Sequence, residues 1–225
     1  MNLSNRINEM KFSPIRKLSP YAQAARKKGL KVLGLNIGQP DIETPPQFME
    51  TVKKFDEKVL KYSESRGEAV LLESFIRYYK DYGIEFTEEN LIITNGGSEA
   101  LQFALFSLLN PDEEVLIPEP FYTNYSSFTD IVGCKVRPIT TYGEDGFHLP
   151  KMETMESLIT EKTRAILISS PSNPTGTIYS KEEIRMLADL CLKYDLYLIS
   201  DEVYREFVYD GLEVHSPMDI PEIED

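Results

Sequence analysis

A carboxylate pair follows an apolar run in the stretch LYLISDEVYREF (196–207). The apolar run predicts a buried strand, so Asp201 and Glu202 stand where that strand ends. Strand alternation directs Asp201 inward and Glu202 towards solvent, and an inward carboxylate is costly unless it is paired. Lys and Arg are sparse nearby, so a ligand cation such as a protonated pyridine nitrogen is a reasonable partner for Asp201. Tyr204 can present a phenol to the same ligand, although a structural salt bridge is the simpler interpretation of the carboxylates.

Two glycines separate a predicted strand from a predicted helix in TNGGSEA (94–100). Glycine lets the backbone approach a ligand closely. Ser98 and the first N–H groups of the helix then form an anion site, which the helix dipole favours. A tight turn with Ser98 as the helix N-cap explains the same residues without a ligand.

Aromatic and amide side chains follow two other predicted strands, in PEPFYTNY (118–125) and SSPSNPTGTIYS (169–180). Phe121 or Tyr122 can stack on a flat ring, or both can pack into the core. Asn173 lies in a proline-constrained turn, where it can bind a ligand oxygen or form an Asx turn. Together the four stretches describe a ligand with a phosphate, a flat ring, a ring oxygen and a ring cation, which is pyridoxal 5′-phosphate (PLP).

The elements that must position these residues alternate along the chain. Strands are predicted at 91–94, 114–120, 135–139, 165–170 and 196–200, and apolar helix faces at 48–59, 72–79, 101–108 and 184–191. A further helix is expected over 20–29, and Ser180 with Glu183 forms a capping box. The alternation predicts an α/β fold, a mostly parallel sheet with helices on both faces. In such a sheet the ligand site lies at the carboxyl ends of the strands.

The bulk composition favours small-molecule or protein partners. The 225 residues carry a net charge of −13, which repels nucleic acid and anionic membranes. Two cysteines do not form a disulfide framework, and no stretch has the pattern of a signal peptide or a membrane span. We therefore expect a cytoplasmic protein that binds neither nucleic acid nor membrane.

Six motifs, in order along the chain, carry a family resemblance. They are NIGQPD (36–41), KYSESRG (61–67), NGGSEAL (95–101), PEPFYTNY (118–125), SSPSNPTG (169–176) and SDEVY (200–204). The sequence resembles the class I/II aminotransferases, fold-type-I PLP enzymes related to aspartate aminotransferase. The pair SNPTG and SDEVY, at this separation, is the most specific part of the resemblance.

The resemblance implies a role for each matching residue. Asp201 would hold the pyridine nitrogen protonated, so that the ring acts as an electron sink, and Asn173 and Tyr204 would bind the ring 3′-oxygen. The remaining roles are stacking on the ring (Tyr122, Val203), backbone N–H groups to the phosphate (Gly97, Ser98 and Glu99), contact with the phosphate of a partner subunit (Tyr62) and contact with the substrate carboxylate (Gly38). The partner contact implies a homodimer of the full-length protein. Cis peptides are expected at Glu119–Pro120 and Asn173–Pro174.

The resemblance also implies a Schiff-base lysine that shuttles the substrate proton, in a strand that follows the SDEVY strand. After Tyr204 the sequence contains no lysine. We therefore expect an N-terminal arm and the start of a small domain over 1–45, and a PLP-binding large domain over 46–225 that is truncated on its C-terminal side. The expectation extends to poor folding and no transamination by residues 1–225 alone.

Three functions remain open from the sequence. The first is an aminotransferase that moves an amino group between an α-amino acid and a 2-oxo acid by a ping-pong route through pyridoxamine phosphate. The second is another fold-type-I PLP enzyme, of the C–S β-lyase or cyclopropane-carboxylate synthase type. The third is a non-catalytic PLP-fold fragment that serves as a binding module.

Overall fold

The computed structural model describes residues 2–10, 16–36 and 38–223, so Ile37 of the NIGQPD motif lies outside the described residues. Within them, short helices and loops precede an alternating region of helices and strands. The helices are α1 (Asn5–Glu9), α2 (Ser19–Lys27), α3 (Pro46–Lys54), α4 (Ala69–Asp81), α5 (Gly97–Leu108), α6 (Asn124–Val132), α7 (Met152–Leu158) and α8 (Lys181–Tyr194).

The strands form one parallel sheet, as the sequence pattern predicts. They are β1 (Glu114–Glu119), β2 (Lys135–Thr140), β3 (Thr163–Ser169) and β4 (Tyr197–Asp201), in the order β2-β1-β3-β4. Every neighbouring pair is parallel. The carboxyl ends of all four strands therefore meet at one edge, where the chemistry-bearing stretches begin.

Helices cover both faces of this sheet, and each face has its own core. Side chains that alternate along β1 and β3 enter opposite cores, as expected for strands buried on both sides. One core includes Val115, Ala165 and Leu167 together with residues of α5 and α6. The other includes Leu116, Ile166 and Ile168 together with residues of α7 and α8.

The predicted capping box begins α8. Ser180 Oγ accepts from Glu183 N at 3.2 Å, and Glu183 Oε2 accepts from Ser180 N at 2.7 Å. Glu183 also accepts from Leu149 N at 2.7 Å. The helix therefore begins at a fixed position, directly after the SNPTG turn.

Two predictions of local structure are wrong. Residues 91–94 are not a strand, because no neighbouring strand pairs with them in the described part of the chain, where Ile93 N bonds only to Arg66 O at 2.8 Å. The helix predicted over 48–59 ends at Lys54. It buries none of its residues, so it lacks the packing that supplies most helix stability in proteins.

Both predicted cis peptides are confirmed, at Glu119–Pro120 and Asn173–Pro174, and Ser170–Pro171 is cis as well. They lie where β1 and β3 end, at the edge that carries the candidate site. No helix among the described residues is both long and apolar enough to cross a membrane.

Candidate active site

The carboxylate of Asp201, at the end of β4, accepts two hydrogen bonds from the protein. Its Oδ2 lies 2.6 Å from the hydroxyl of Tyr125, and its Oδ1 accepts from Val203 N at 3.2 Å. Within the described ranges, Asp201 forms no ion pair with Lys, Arg or His. The carboxylate is thus fixed in orientation and lacks a protein cation, as a partner of a ligand cation should.

Glu202 does not point to solvent, so that prediction is wrong. Strand β4 ends at Asp201, and the chain turns with a bond from Arg205 N to Glu202 O at 2.9 Å. The turn ends the strand alternation and directs Glu202 into a buried ion pair with Arg205, whose Nη2 lies 2.6 Å from Oε2. Ser200 and Ser216 donate to the other oxygen of Glu202, at 3.0 and 2.8 Å.

Asn173 and Tyr204 meet although 31 residues separate them. Asn173 Nδ2 lies 3.4 Å from the Tyr204 hydroxyl. The turn after β3 and the turn after β4 present these groups because β3 and β4 are neighbours in the sheet. A single ligand oxygen can therefore reach both side chains.

The N-terminus of α5 leaves backbone donors for an anion. Gly96 has φ 81° and ψ 171°, a conformation that is essentially restricted to glycine. Glu99 N already donates to Gly96 O at 3.2 Å, whereas Gly97 N and Ser98 N donate to no other described residue. These two N–H groups, at the positive end of the helix dipole, suit a phosphate.

The side chain of Glu99 does not oppose that anion site directly. Its Oε2 accepts from Asn95 N at 2.7 Å, which holds the carboxylate against the backbone of the preceding turn. Because its own N–H bonds to Gly96, Glu99 is a weaker candidate for a phosphate donor than Gly97 or Ser98.

One cavity of about 200 Å³ collects most of the predicted residues. Its lining includes Gly97, Ser98, Leu101, Tyr122, Tyr125, Ser169, Asn173, Asp201, Val203 and Tyr204. A larger cavity of about 630 Å³ shares Tyr122, Asn173 and Tyr204, and it adds Gly38, Arg16 and two further aromatic side chains. The two cavities therefore adjoin at these three shared side chains.

The cavity matches the parts of a PLP molecule. The N–H groups of Gly97 and Ser98 suit the phosphate, and the carboxylate of Asp201 suits the ring nitrogen. Asn173 and Tyr204 together suit the ring oxygen. Tyr122 offers an aromatic face, and its hydroxyl is fixed by a bond from Asn124 Nδ2 at 2.7 Å.

Tyr62 lies apart from this group. Its side chain is fully exposed, and it lines neither cavity. The role at a partner subunit remains a prediction.

Sequence reasoning missed one residue that lines the cavity, Tyr125, and one that forms an ion pair in the turn beside it, Arg205. Tyr125 lies on the buried face of α6, three positions after Tyr122. Burial is the main cause that raises the pKa of its phenol, and the nearby Asp201 charge is the second. Arg205 would have been found from its spacing to Glu202, three residues earlier, had the turn after β4 been predicted. The partner of Tyr125, in contrast, is not indicated by the sequence pattern and requires the three-dimensional fold.

Comparison with known proteins assigns the family. Residues 31–224 match the family model of aminotransferase class I and II. A probable aspartate/prephenate aminotransferase of Thermus aquaticus is 34% identical over 212 residues, which are 93% of this chain and 55% of the relative. An aromatic-amino-acid aminotransferase 2 of Thermococcus litoralis is 35% identical over 96% of this chain and 55% of its own length.

The fold agrees with that assignment. A Thermus thermophilus aspartate aminotransferase variant superposes with a TM-score of 0.91 at 33% identity, covering 98% of this chain and 58% of the other. The chain thus spans somewhat more than half the length of the relatives it matches. From its match to the family model, its partial PLP-transferase fold and its similarity to these enzymes, the chain belongs to the class I and II aminotransferase family.

Proposed function

We propose that the protein transfers an amino group between an α-amino acid and a 2-oxo acid with PLP as its cofactor. The observation that carries the proposal is the convergence on one cavity of an oriented carboxylate, an amide–phenol pair and two helix N–H groups that have no acceptor among the described residues. Family membership supports the same reaction. Because the chain covers only part of its relatives, the activity, substrates and partners of the whole protein are inferred.

Different residues would bind different parts of the cofactor. Asp201 would accept from the protonated ring nitrogen, and Asn173 and Tyr204 would donate to the ring oxygen. Gly97 and Ser98, with a lesser contribution from Glu99, would hold the phosphate. When bound, PLP supplies an electron sink for the electrons released at the substrate α-carbon. Asp201 supports that chemistry because a fixed negative charge favours the protonated ring.

The ring would lie between two apolar surfaces. Tyr122 offers an aromatic face, and Val203, whose side chain is 65% exposed, lines the same cavity. An aromatic ring against one side and an aliphatic side chain against the other exclude water from both faces. Tyr122 and Val203 would hold the ring by packing, and Asp201, Asn173 and Tyr204 would orient it through hydrogen bonds.

The larger cavity is the proposed substrate site. Gly38 would lie beside the substrate carboxylate, and Arg16 is a cation in the same lining. The neutral aromatic and amide groups around them do not select one amino donor. Amino acids and 2-oxo acids are therefore the proposed substrate class.

Three features concern the protein as a whole. We propose that it is a cytoplasmic homodimer in which Tyr62 reaches the phosphate of the partner subunit. The lysine that moves the substrate proton would come from outside residues 1–225. Residues 1–45 would form an arm and the start of a small domain, and residues 46–225 would belong to the PLP-binding large domain.

The first test is to purify the full-length protein from its natural source and reduce it with borohydride. The proposal expects one phosphopyridoxyl group on one lysine, which peptide mass spectrometry would locate outside residues 1–225. A protein that carries no specific adduct would contradict the proposal and favour a non-catalytic member of the fold.

The second test separates amino transfer from other PLP reactions. We expect formation of a new amino acid only when a 2-oxo acid is added, and an at least 100-fold slower rate in Asp201→Ala, because an electrostatic partner of the reacting group is lost. Asp112→Asn is the matched control, since Asp112 pairs with Lys135 away from the cavity. Elimination products that form without an added 2-oxo acid would instead indicate a β-lyase.

A further inference from the structure

A buried phenol, contributed by another motif, makes the shortest contact of the Asp201 carboxylate. The Tyr125 hydroxyl lies 2.6 Å from Asp201 Oδ2 across 76 residues of sequence. The side chain is 1% exposed. Two other rings fix its position, with Phe121 stacked at 6.2 Å and Tyr122 edge-on at 5.5 Å between centroids.

Between them, Tyr125 and the chain's own turn define the orientation of the carboxylate. Tyr125 holds Oδ2, and Val203 N holds Oδ1 at 3.2 Å. We propose that Tyr125 is a positioning residue, whose neutral hydroxyl fixes the Asp201 carboxylate towards the ring nitrogen without adding charge to the pair. The inference rests on the proposed function, since it assigns how the site orients the group that faces the cofactor.

The distinctive feature of this hydrogen bond is that its donor, the Tyr125 hydroxyl, carries no charge. Burial and the neighbouring Asp201 charge raise the pKa of the Tyr125 phenol above its ordinary value of 10.0, so the phenol stays neutral between pH 6 and pH 9. The titratable groups that face it are Asp201 and Tyr122. A histidine at this position could also donate to Asp201, but it would gain a positive charge as the pH falls, because an imidazole titrates near pH 6.5 when unperturbed and a carboxylate partner raises that pKa.

The experiment measures PLP binding by the full-length protein between pH 6 and pH 9, from quenching of tyrosine fluorescence. Tyr125→Phe keeps the ring and removes the donor, and Tyr125→His keeps a donor that titrates. Tyr179→Phe is the control, because Tyr179 is a buried tyrosine in the opposite core. Chemical unfolding of each variant without PLP records any loss of stability separately.

The positioning role predicts three results. Tyr125→Phe binds PLP about tenfold more weakly at every pH, since a hydrogen bond to a charged group is lost. The affinity of Tyr125→His relative to wild type falls as the pH drops from 9 to 6, since a charged imidazole would compete with the ring cation for Asp201. Tyr179→Phe binds like wild type.

The contrary results are equally specific. If wild type binds PLP and Tyr125→Phe binds it equally well, this inference is overturned while the proposed function stands. If Tyr125→Phe does not fold, Tyr125→His decides alone, and an affinity that keeps a constant ratio to wild type from pH 6 to pH 9 would overturn the inference. Failure of the wild-type protein to bind PLP would overturn both.

Discussion

Arg205 and Glu202 form a nearly buried ion pair inside the turn that carries Tyr204. Arg205 Nη2 lies 2.6 Å from Glu202 Oε2, and the side chains are 8% and 15% exposed. The guanidinium also lies 4.9 Å from the ring centroid of Tyr82 and 5.8 Å from that of Tyr79. The pair therefore connects the turn after β4 to the C-terminal end of α4.

Breaking this pair should destabilise the protein. Burial alone would lower the pKa of Arg205, but the hydrogen bond and charge of Glu202 raise it overall, so the arginine stays charged. Arg205→Met would leave Glu202 buried without its cation, which costs roughly 3–5 kcal/mol. We expect the lower end of that range in the free energy of unfolding by urea, because Ser200 and Ser216 still donate to Glu202.

The matched control is Arg185→Met. Arg185 pairs with Asp189 at 2.9 Å and with Glu222 at 3.2 Å on the surface, where all three side chains are more than 40% exposed, and an exposed pair contributes at most about 1 kcal/mol. A loss in Arg205→Met no greater than that in Arg185→Met would show that the buried pair does not stabilise the turn.

Local patterns predict most of this fold because each buried strand lies between two helices. Val115 and Leu116 enter opposite cores as the alternation along β1 requires, and the Ser180 capping box depends only on neighbours in sequence. Residues 91–94 carry an equally apolar pattern, but a strand also needs a partner strand, which local sequence does not encode. For the same reason, local sequence does not predict the contact of Tyr125 with Asp201, since that contact depends on how α6 and β4 pack.

The site residues show the same division. Turn chemistry predicted these groups from local sequence, since Gly96, Asn173 and Asp201 each lie one to five residues after an apolar run. The direction of a side chain beyond the strand end was harder to predict. Strand alternation predicts that Glu202 points to solvent, but β4 ends at Asp201, and the alternation of side chains ends with it.

Gly96 should be intolerant of any side chain. Its φ of 81° and ψ of 171° lie in a region essentially restricted to glycine, although a Cβ there would meet nothing within 4 Å. Gly96→Ala should therefore cost about 1–3 kcal/mol in unfolding free energy through backbone strain alone.

Gly97→Ala is the control for that prediction. Gly97 has no positive φ, and a Cβ added there also meets no atom within 4 Å. Alanine is the better helix former, so Gly97→Ala should leave the stability of the PLP-free protein unchanged or slightly raised. Equal losses in the two variants would contradict the backbone explanation.

Removal of the Ser180 N-cap should measurably lower the free energy of unfolding. Ser180→Ala leaves the N–H of Glu183 without its acceptor, and the loss of such a cap costs about 1 kcal/mol. Ser74→Ala in α4 is the comparison, because that hydroxyl bonds only within the helix region, to Val70 O at 2.7 Å and from Arg77. Urea unfolding should show a clear loss for Ser180→Ala and a smaller one for Ser74→Ala, whereas the reverse order would argue against the cap.

Acid should destabilise the protein through Glu113, at the start of β1. The backbone N–H of Asn110, which lies 2.7 Å away, and the charge of Arg164 lower the pKa of this carboxyl from its ordinary 4.5. Because the folded state then binds the proton less readily than the unfolded state, the stabilisation is complete above pH 4.5 and is lost as the pH falls through the lowered pKa.

The thermal midpoint of wild type should therefore fall as the pH drops below 4.5, and the midpoint of Glu113→Gln should fall less steeply from a lower starting value. Glu57→Gln, in an exposed segment, should follow the wild-type curve. A Glu113→Gln curve parallel to wild type throughout would mean that other carboxylates cause the acid sensitivity.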